Sequence, residues 1–272
     1  MSKHVLPKLG DYDIENLSAF TLQRFTVELT EKGLSANTVN LIISVIKNSL
    51  RSAVSFGVAE KQNADRIIRP RVTEKKVMCF SKEEQRKIER YVLSGKKQKY
   101  FGILLCLYSG LRIGELLALT WGDVDIAKGM LSVTKSCHDS WDGGAYKKVI
   151  ETPKTESSFR TIPLPQQIMP YLKNLKKTAK SEYVIGKKAR GEQVRTYQKM
   201  FENMLKRLQI EKKGFHSLRH TFATRALECG MDVKSLSEIL GHKNPNVTLR
   251  RYAHSLLEHK RQMMNRLGKL LL

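Results

Sequence analysis

The sequence predicts a mainly helical protein of two domains, the second of which contains a small antiparallel β-sheet. Apolar residues recur at three- and four-residue spacing over much of the 272-residue chain, and three strand-like segments lie close together between residues 130 and 164. A basic stretch without apolar periodicity, residues 69–76, has the composition of a linker. We therefore predict a helical domain at residues 1–68, a linker at 69–76 and a second domain at 77–272.

The first domain is predicted to contain two amphipathic helices. Apolar side chains recur at helical spacing over residues 18–31, where the pattern stops before Gly33, and again over residues 37–55. The polar side of the second helix carries Lys47 and Arg51. Charged helix faces are often simply solvated, so the residues alone leave open whether this face binds an anion.

The second domain is predicted to begin with a helix, because residues 81–84 have the form of a capping box and the pattern continues to about residue 92. Residues 100–108 are apolar nearly all round, which predicts a buried helix broken at Gly110, and a new helix opens near Arg112. The strands of one small antiparallel sheet are predicted at 130–135, 147–152 and 159–164, and the later helices at 217–229, 233–240, 246–254 and 255–272.

The chain is strongly basic. Its 49 Lys and Arg residues against 26 Asp and Glu residues give a formal net charge of +23. A field of this sign concentrates polyanions whatever their sequence. The charge therefore predicts a polyanionic partner, and DNA, RNA and an acidic lipid surface all fit it.

Other classes of protein are excluded by the sequence. The first ten residues lack the apolar core of a signal peptide, and the longest apolar stretch, around residues 103–108, is far too short for a membrane span. The four cysteines are widely separated, which argues against a disulfide framework and against a CxxC zinc site. We expect reduced thiols, no membrane association, and a location in the bacterial cytosol or nucleoid.

Five of the seven histidines lie beyond residue 215. His216 and His220 are one turn apart on a predicted helix, which is a spacing that can chelate a metal. No Asp, Glu or Cys is spaced to complete the ligand set. We expect no metal site and no cofactor.

A second group of residues suits a phosphate. Arg112 lies at the start of a predicted helix, where first-turn amides and the guanidinium can face the same anion. Arg219 follows His216 by three residues, so the two share a helix face. Guanidinium groups offset the charge of a phosphodiester and bind its transition state more tightly than its ground state. The residue types indicate phosphate chemistry, but their spacing does not link them across the chain.

Five short segments supply that link. They are GLRIGEL at residues 110–116, PKTESSFRTIPL at 153–164, HSLRHTFAT at 216–224, LGHK at 240–243 and YAH at 252–254. In this order they resemble the boxes of the tyrosine recombinase family, of the phage integrase type. Each segment is a weak signal alone, whereas five in order make a chance resemblance improbable. The resemblance extends over residues 75–272, which correspond to the catalytic domain of the family.

The first domain resembles the helical core-binding domain of the same family through LPKLGD at residues 6–11 and GLSANTV at 33–39. Members of this type usually carry an arm-binding domain and a further helix upstream. We therefore expect the chain to lack the arm-binding domain and the start of the core-binding domain, either as a truncated form, which we favour, or as a naturally short member. The resemblance implies a C-shaped clamp of two domains around duplex DNA.

The resemblance also implies the chemical steps. Tyr252 would attack the phosphorus of one strand to give a 3′-phosphotyrosine and a free 5′-hydroxyl, without ATP or a metal ion. Lys154 would protonate the departing 5′-oxygen, and His216 would assist proton transfer at the nucleophile or hold the phosphate.

The remaining implied roles concern the phosphate itself. Arg112 and Arg219 would clamp the scissile phosphate, and His242 would donate a hydrogen bond to one of its oxygens. Glu115, one turn past Arg112, is predicted to orient that arginine or a histidine.

The implied partner is double-stranded DNA at the attachment sites of a mobile element. Lys47, Arg51, Arg71 and Arg160 are predicted to contact this DNA, mostly at phosphates, which position a protein without reading the sequence. The resemblance further implies a homo-oligomer, a tetramer, that assembles on DNA through the final helix at residues 255–272, with DNA-bending proteins as accessory factors.

Two alternatives to a recombinase that integrates or excises an element stay open. A type IB topoisomerase shares the phosphotyrosine step but relaxes supercoils alone, without exchanging strands. A DNA-binding regulator with an inactive site is the second alternative. The presence of the expected residue type at all six catalytic positions argues against the regulator.

Overall fold

The computed structural model describes residues 2–60, 64–73, 77–95, 98–152, 159–186 and 192–271. The chain forms two compact units that divide between residues 76 and 77, and each unit has an apolar core of its own. No helix within the described ranges combines the length and the apolar character that a membrane span requires.

The core of the first unit comes from the apolar stripes of two helices. Helices α2 (Ala19–Glu31) and α3 (Ala36–Ser55) confirm the two predicted helices, and the short helix α1 (Leu6–Leu9) precedes them. Each long helix begins after a serine, Ser18 or Ser35, whose hydroxyl accepts a hydrogen bond from the backbone N–H three residues on. The buried apolar residues on the two helices are Leu22, Phe25, Leu29, Val39, Ile43, Ile46 and Leu50.

The second unit is mainly helical. The capping box predicted at its first helix is present, because the Glu84 backbone N–H donates to Ser81 Oγ at 3.1 Å and the Ser81 N–H donates to the Glu84 carboxylate at 2.8 Å. The helices are α4 (Lys82–Leu93), α5 (Phe101–Ser109), α6 (Ile113–Ala118), α7 (Met169–Lys177), α8 (Val194–Arg207), α9 (His216–Glu228), α10 (Val233–Leu240) and α11 (Pro245–Leu271).

Helix α5 lies at the centre of this unit, which confirms the predicted buried helix. All of its residues except Tyr108 are buried, and α4 and α9 pack against it. It ends at Gly110, whose φ of +66° is the left-handed conformation that glycine favours at a helix end. A Cβ at this position would lie 2.6 Å from the ring of Phe222. The chain can therefore turn sharply here and start α6 within three residues.

The β-structure forms two separate sheets. Strands β1 (Val124–Asp125), β2 (Met130–Val133) and β5 (Arg160–Pro163) make a three-stranded antiparallel sheet in the order β1-β2-β5. Strands β3 (Ser136–Trp141) and β4 (Tyr146–Glu151) form a hairpin of their own. The predicted fold class is confirmed, but the prediction that the strand at 147–152 belongs to the same sheet as the other two is wrong.

The hairpin strand β3 was missed for a physical reason. Its sequence, SCHDSW, is mostly polar and lacks the apolar alternation that marks a half-buried strand. It pairs with β4 around the turn at Asp142-Gly143-Gly144, where the Asp142 N–H donates to the Ala145 carbonyl at 3.3 Å. The Asp-Gly-Gly turn is a recognisable turn signal in the sequence, whereas β3 itself carries no strand signal.

Helix α11 also corrects a prediction. The sequence predicts separate helices at residues 246–254 and 255–272, whereas the structure has one continuous helix from Pro245 to Leu271. Pro245 occupies the first turn, where proline is tolerated. No Gly or Pro lies between residues 246 and 267, so the chain has no residue that would end the helix near residue 254.

Candidate active site

The site lies in the second unit where the ends of three helices meet. Arg112 immediately precedes α6, Arg219 lies on α9, and His242 follows Gly241 at the end of α10. Gly241, like Gly110, has a left-handed backbone, with φ of +63°. Three of the six predicted catalytic residues thus come together, although they are distant in the sequence.

Arg112 is held from two sides and is partly open to solvent. Its Nη1 donates to Glu115 Oε1 at 2.7 Å, and its Nη2 donates to the Gly241 carbonyl at 3.2 Å. The side chain is 37% exposed, against 5% for that of Glu115. The guanidinium is therefore fixed in place while part of it still faces solvent.

The anion at the start of α6 is the chain's own carboxylate. From the sequence, the first-turn amides of α6 and the Arg112 guanidinium are expected to face a bound phosphate together. In the structure, the backbone N–H of Arg112, which precedes that turn, donates to Glu115 Oε2 at 2.8 Å. A phosphate that binds here meets the Arg112 side chain rather than this amide.

Glu115 is buried between two arginines. Burial raises the pKa of this carboxyl, but the hydrogen bonds and charges of Arg160 and Arg112 outweigh that effect and lower the pKa to about 2. Glu115 is therefore ionised at neutral and mildly acidic pH. It contributes a fixed negative charge beside Arg112.

Arg160 does not lie where a DNA contact would require it. Only 6% of its side chain is exposed, and its Nη1 and Nη2 donate to the two Glu115 oxygens at 3.0 and 2.7 Å. Its Nε donates to the Ile239 carbonyl at 2.6 Å. The prediction that Arg160 contacts DNA is corrected accordingly, because the sequence segment that contains Arg160 does not show that β5 directs this side chain to a buried carboxylate.

Arg219 connects the two glycine turns of the site. Its Nη1 donates to the Gly110 carbonyl at 2.8 Å, and its Nη2 donates to the Leu240 carbonyl at 2.5 Å and lies 3.0 Å from His242 Nε2. The side chain is buried, with the residue 2% exposed. Because a guanidinium only donates hydrogen bonds, His242 Nε2 acts as the acceptor in this contact.

That contact determines the tautomer of His242. With Nε2 accepting, the ring proton lies on Nδ1, which is 2.7 Å from the hydroxyl of the buried Thr248. Thr248 was missed by the sequence analysis. The available signal was its position on α11, one helical turn before Tyr252.

His216 lies at the start of α9 and is exposed, whereas Arg219 on the same helix is buried. Its ring packs edge to face on His220, with centroids 4.6 Å apart. Among the residues that the structure describes, no three His, Cys, Asp or Glu side chains are grouped as metal ligands.

Two of the predicted catalytic side chains lie outside the described part of the structure. Lys154 lies outside the described residues. The backbone of Tyr252 is part of α11, four residues after Thr248, and its side chain is outside the described part of the structure.

Contacts before and after Arg219 hold helix α9 in place. Before the helix, the Lys213 ammonium donates to both Glu84 oxygens at 2.7 Å. Further along, Arg225 Nη2 donates to the Phe80 carbonyl at 2.9 Å. These contacts fix the helix against α4 and the segment before it, and so fix where Arg219 enters the site.

The other predicted DNA contacts lie in the first unit. Lys47 and Arg51 on α3 both pair with Asp65, and the distance from Arg51 Nη2 to Asp65 Oδ1 is 3.1 Å. Arg71 is exposed. In this structure, therefore, two of the predicted contacts face a carboxylate of the chain itself.

Comparison with known proteins places this arrangement in a family. The phage integrase family model matches residues 71–259. A XerC-like tyrosine recombinase of Caldanaerobacter subterraneus subsp. tengcongensis is 29% identical over 94% of this chain and 72% of its own length.

Two solved structures share the fold. The Tn1549 transposon integrase in complex with transposon right end DNA has a TM-score of 0.79 at 25% identity, covering 96% of this chain and 89% of that one. A lambda integrase tetramer bound to a Holliday junction has a TM-score of 0.66 at 20% identity, covering 89% and 69%. Because the family model spans well over half of the sequence, the chain belongs to the phage integrase family and is a tyrosine site-specific recombinase.

Proposed function

We propose that the chain cleaves and rejoins duplex DNA at the attachment sites of a mobile element, with Tyr252 as nucleophile and Arg112, Arg219 and His242 as the phosphate site. The observation that carries this proposal is the hydrogen-bonded contact of Arg219 with His242, beside Arg112, at the glycine turns that end α5 and α10. The Tn1549 integrase, a transposon enzyme with the same fold, supports the mobile-element substrate.

The arginines supply positive charge at the phosphate. A phosphodiester repels a nucleophile through its negative oxygens, and guanidinium groups offset that charge most strongly as the transition state forms. Arg112, which is partly exposed, would contact the phosphate first, and the buried Arg219 would complete the phosphate site. This chemistry does not depend on a metal ion.

In the proposed step, a bond forms between the Tyr252 oxygen and phosphorus while the bond from phosphorus to the 5′-oxygen breaks. The tyrosine proton passes to His216, and Lys154 gives a proton to the departing 5′-oxygen. Reversal with the 5′-hydroxyl of another strand rejoins the DNA. These assignments of Tyr252, His216 and Lys154 rest on the five sequence segments.

His242 would donate from Nε2 to a phosphate oxygen. In the structure this nitrogen accepts from Arg219 while Nδ1 donates to Thr248. Donation therefore requires a proton on Nε2, which the other neutral tautomer carries when the Thr248 hydroxyl donates to Nδ1. A bound phosphate favours this tautomer, because its oxygens accept a hydrogen bond from the Nε2–H group.

The first unit would act as the core-binding domain of a clamp around DNA, and the second unit as its catalytic domain. In the first unit, Lys47, Arg51 and Arg71 would contact DNA phosphates. Phosphates would then replace Asp65 as the partner of Lys47 and Arg51. Such contacts position the enzyme and leave the target sequence to other residues.

We expect DNA affinity to fall steeply with salt. Each neutralised phosphate releases counterions, and the slope of log affinity against log salt is roughly −0.9 per phosphate on duplex DNA. With a net charge of +23, the chain should show a strong dependence. Titration of labelled non-specific duplex DNA, followed by fluorescence anisotropy across a salt series, checks this expectation. A DNA affinity that does not change between dilute and physiological salt would exclude a clamp of two domains around DNA.

The C-terminal part of α11 is proposed to hold protomers together on DNA. Met264, Leu267, Leu270 and Leu271 are exposed apolar residues near the end of the helix, more apolar surface than a solvated helix end normally presents. The lambda integrase of the same fold forms a tetramer on a Holliday junction. We propose that each protomer docks this segment on a neighbour, so that a closed ring forms. We also propose that DNA-bending proteins act as accessory factors and that the protein is located in the cytoplasm.

Deletion of residues 258–272 should abolish multimers on DNA and leave single-site binding. Mobility-shift assays on DNA with one site and with paired sites separate the two effects. The double substitution Leu267→Ser and Leu270→Ser should act in the same direction, with Arg266→Ser as the control on the same helix segment. If synaptic complexes survive the deletion, the docking role of α11 is wrong.

A further inference from the structure

Arg160 joins two parts of the active site that are distant in the sequence. It lies on β5, and its side chain contacts both Glu115 oxygens on α6 and the Ile239 carbonyl on α10. It is nearly fully buried, so these contacts are made away from water. None of the predicted roles in catalysis includes this residue.

The contacts of Arg160 are part of a closed ring. Glu115 accepts from Arg112 as well as from Arg160, and Arg112 in turn donates to the carbonyl of Gly241, two residues after Ile239. Arg112 is thus tied to the segment before His242 by two routes, one direct and one through Glu115 and Arg160. A side chain at Gly241 would press on Arg160, since a Cβ there would lie 3.0 Å from its Nη1.

The formal charges in this ring show what Arg160 contributes. Glu115 carries −1, and Arg112 and Arg160 carry +1 each, so the group has a net charge of +1. Without Arg160 the net charge is zero, and the positive charge of Arg112 is offset by a buried carboxylate at 2.7 Å. Because Glu115 is buried, water screens this attraction only on the exposed side of Arg112. Arg160 therefore leaves the charge of Arg112 available to an incoming phosphate.

We propose that Arg160 is a positioning residue of the recombination reaction, which neutralises Glu115 and links Arg112 to the His242 segment. This inference rests on the proposed function, because it assigns to Arg112 the role of binding the scissile phosphate. It predicts that the charge of Arg160, rather than its packing alone, controls the rate of DNA cleavage.

The test compares charge-altered variants under single turnover with saturating DNA. Arg160→Gln should slow formation of the covalent adduct roughly tenfold to a hundredfold, with DNA affinity changed by less than about twofold because the side chain does not face DNA. Arg160→Lys, which keeps the charge without the planar fork, should recover part of the rate. The double variant Glu115→Gln and Arg160→Gln, which restores the net charge of +1, should also be faster than Arg160→Gln alone.

Rates are expressed per folded protein, from circular dichroism of the same samples. Lys135→Gln is the matched control, since Lys135 also pairs with a carboxylate, Asp123, and with the Thr120 hydroxyl, but outside the site. If Arg160→Gln is no slower than this control, or if neither Arg160→Lys nor the double variant exceeds Arg160→Gln, the inference is wrong. Should Arg160→Gln fail to fold, the other two variants decide, because both should cleave more slowly than the control but faster than Arg112→Lys, and rates equal to the control would contradict the inference.

The outcome separates this inference from the proposed function. A parent protein that forms no adduct contradicts the proposed function itself. A parent that forms the adduct while Arg160→Gln matches the control contradicts only the role of Arg160.

Discussion

The Tyr252→Phe variant is expected to bind attachment-site DNA as the parent does and to form no covalent adduct. The substitution removes only the hydroxyl oxygen that attacks phosphorus, so the arginines of the phosphate site and the DNA contacts are unchanged. DNA spanning the junction between the chromosome and the element that encodes the chain provides the substrate. A mobility-shift assay measures binding, and a denaturing gel measures the adduct.

Tyr171→Phe is the control for this experiment. Tyr171 is an exposed tyrosine on α7, and its loss should leave both binding and adduct formation intact. An adduct that persists in Tyr252→Phe at the parent level would assign the nucleophile to another residue.

The Arg112→Lys variant is expected to lose cleavage by roughly a hundredfold to a thousandfold, on the basis of about 3 kcal/mol for one lost oxyanion-type donor. Lysine keeps the charge but lacks the planar fork with which Arg112 contacts Glu115 and the Gly241 carbonyl while facing a phosphate. DNA affinity should change far less, because one phosphate among many is affected.

Single-turnover cleavage with saturating DNA isolates this effect from binding. Arg86→Lys, at an exposed position on α4, is the matched control and should cleave like the parent. Equal rates for Arg112→Lys and Arg86→Lys would show that Arg112 does not act on the reacting phosphate.

Most helices of the fold could be predicted from the sequence, because apolar spacing and end signals agree in them. The serine caps of α2 and α3 and the apolar surface of α5 are examples. Strand β3 could not be predicted, since a polar hairpin strand is stabilised by its partner and carries no periodic signal. The break assumed near residue 254 had no residue to cause it.

The site was predictable in its residue types and only partly in its connections. Arg112, Arg219 and His242 were selected from sequence segments, and the structure brings them together through backbone carbonyls at Gly110, Leu240 and Gly241. Backbone acceptors have no sequence signature, because every residue carries one.

Arg160 shows the same limit for a charged side chain. An arginine that contacts DNA and an arginine that is buried against Glu115 look alike in a sequence, and only the fold shows that β5 lies beside α6 and α10. Thr248 was missed because a threonine on a helix is ordinary until its neighbour is known to be His242.

We expect Tyr252 to form a covalent bond to DNA without a metal ion, and the DNA strands then to be exchanged. The most direct measurement incubates the parent protein with end-labelled junction DNA in excess EDTA and resolves the products on a denaturing gel. We expect a covalent protein–DNA adduct whose linked peptide contains Tyr252, together with joined recombinant strands. Loss of cleavage in EDTA, or an adduct without recombinant strands, would contradict this account.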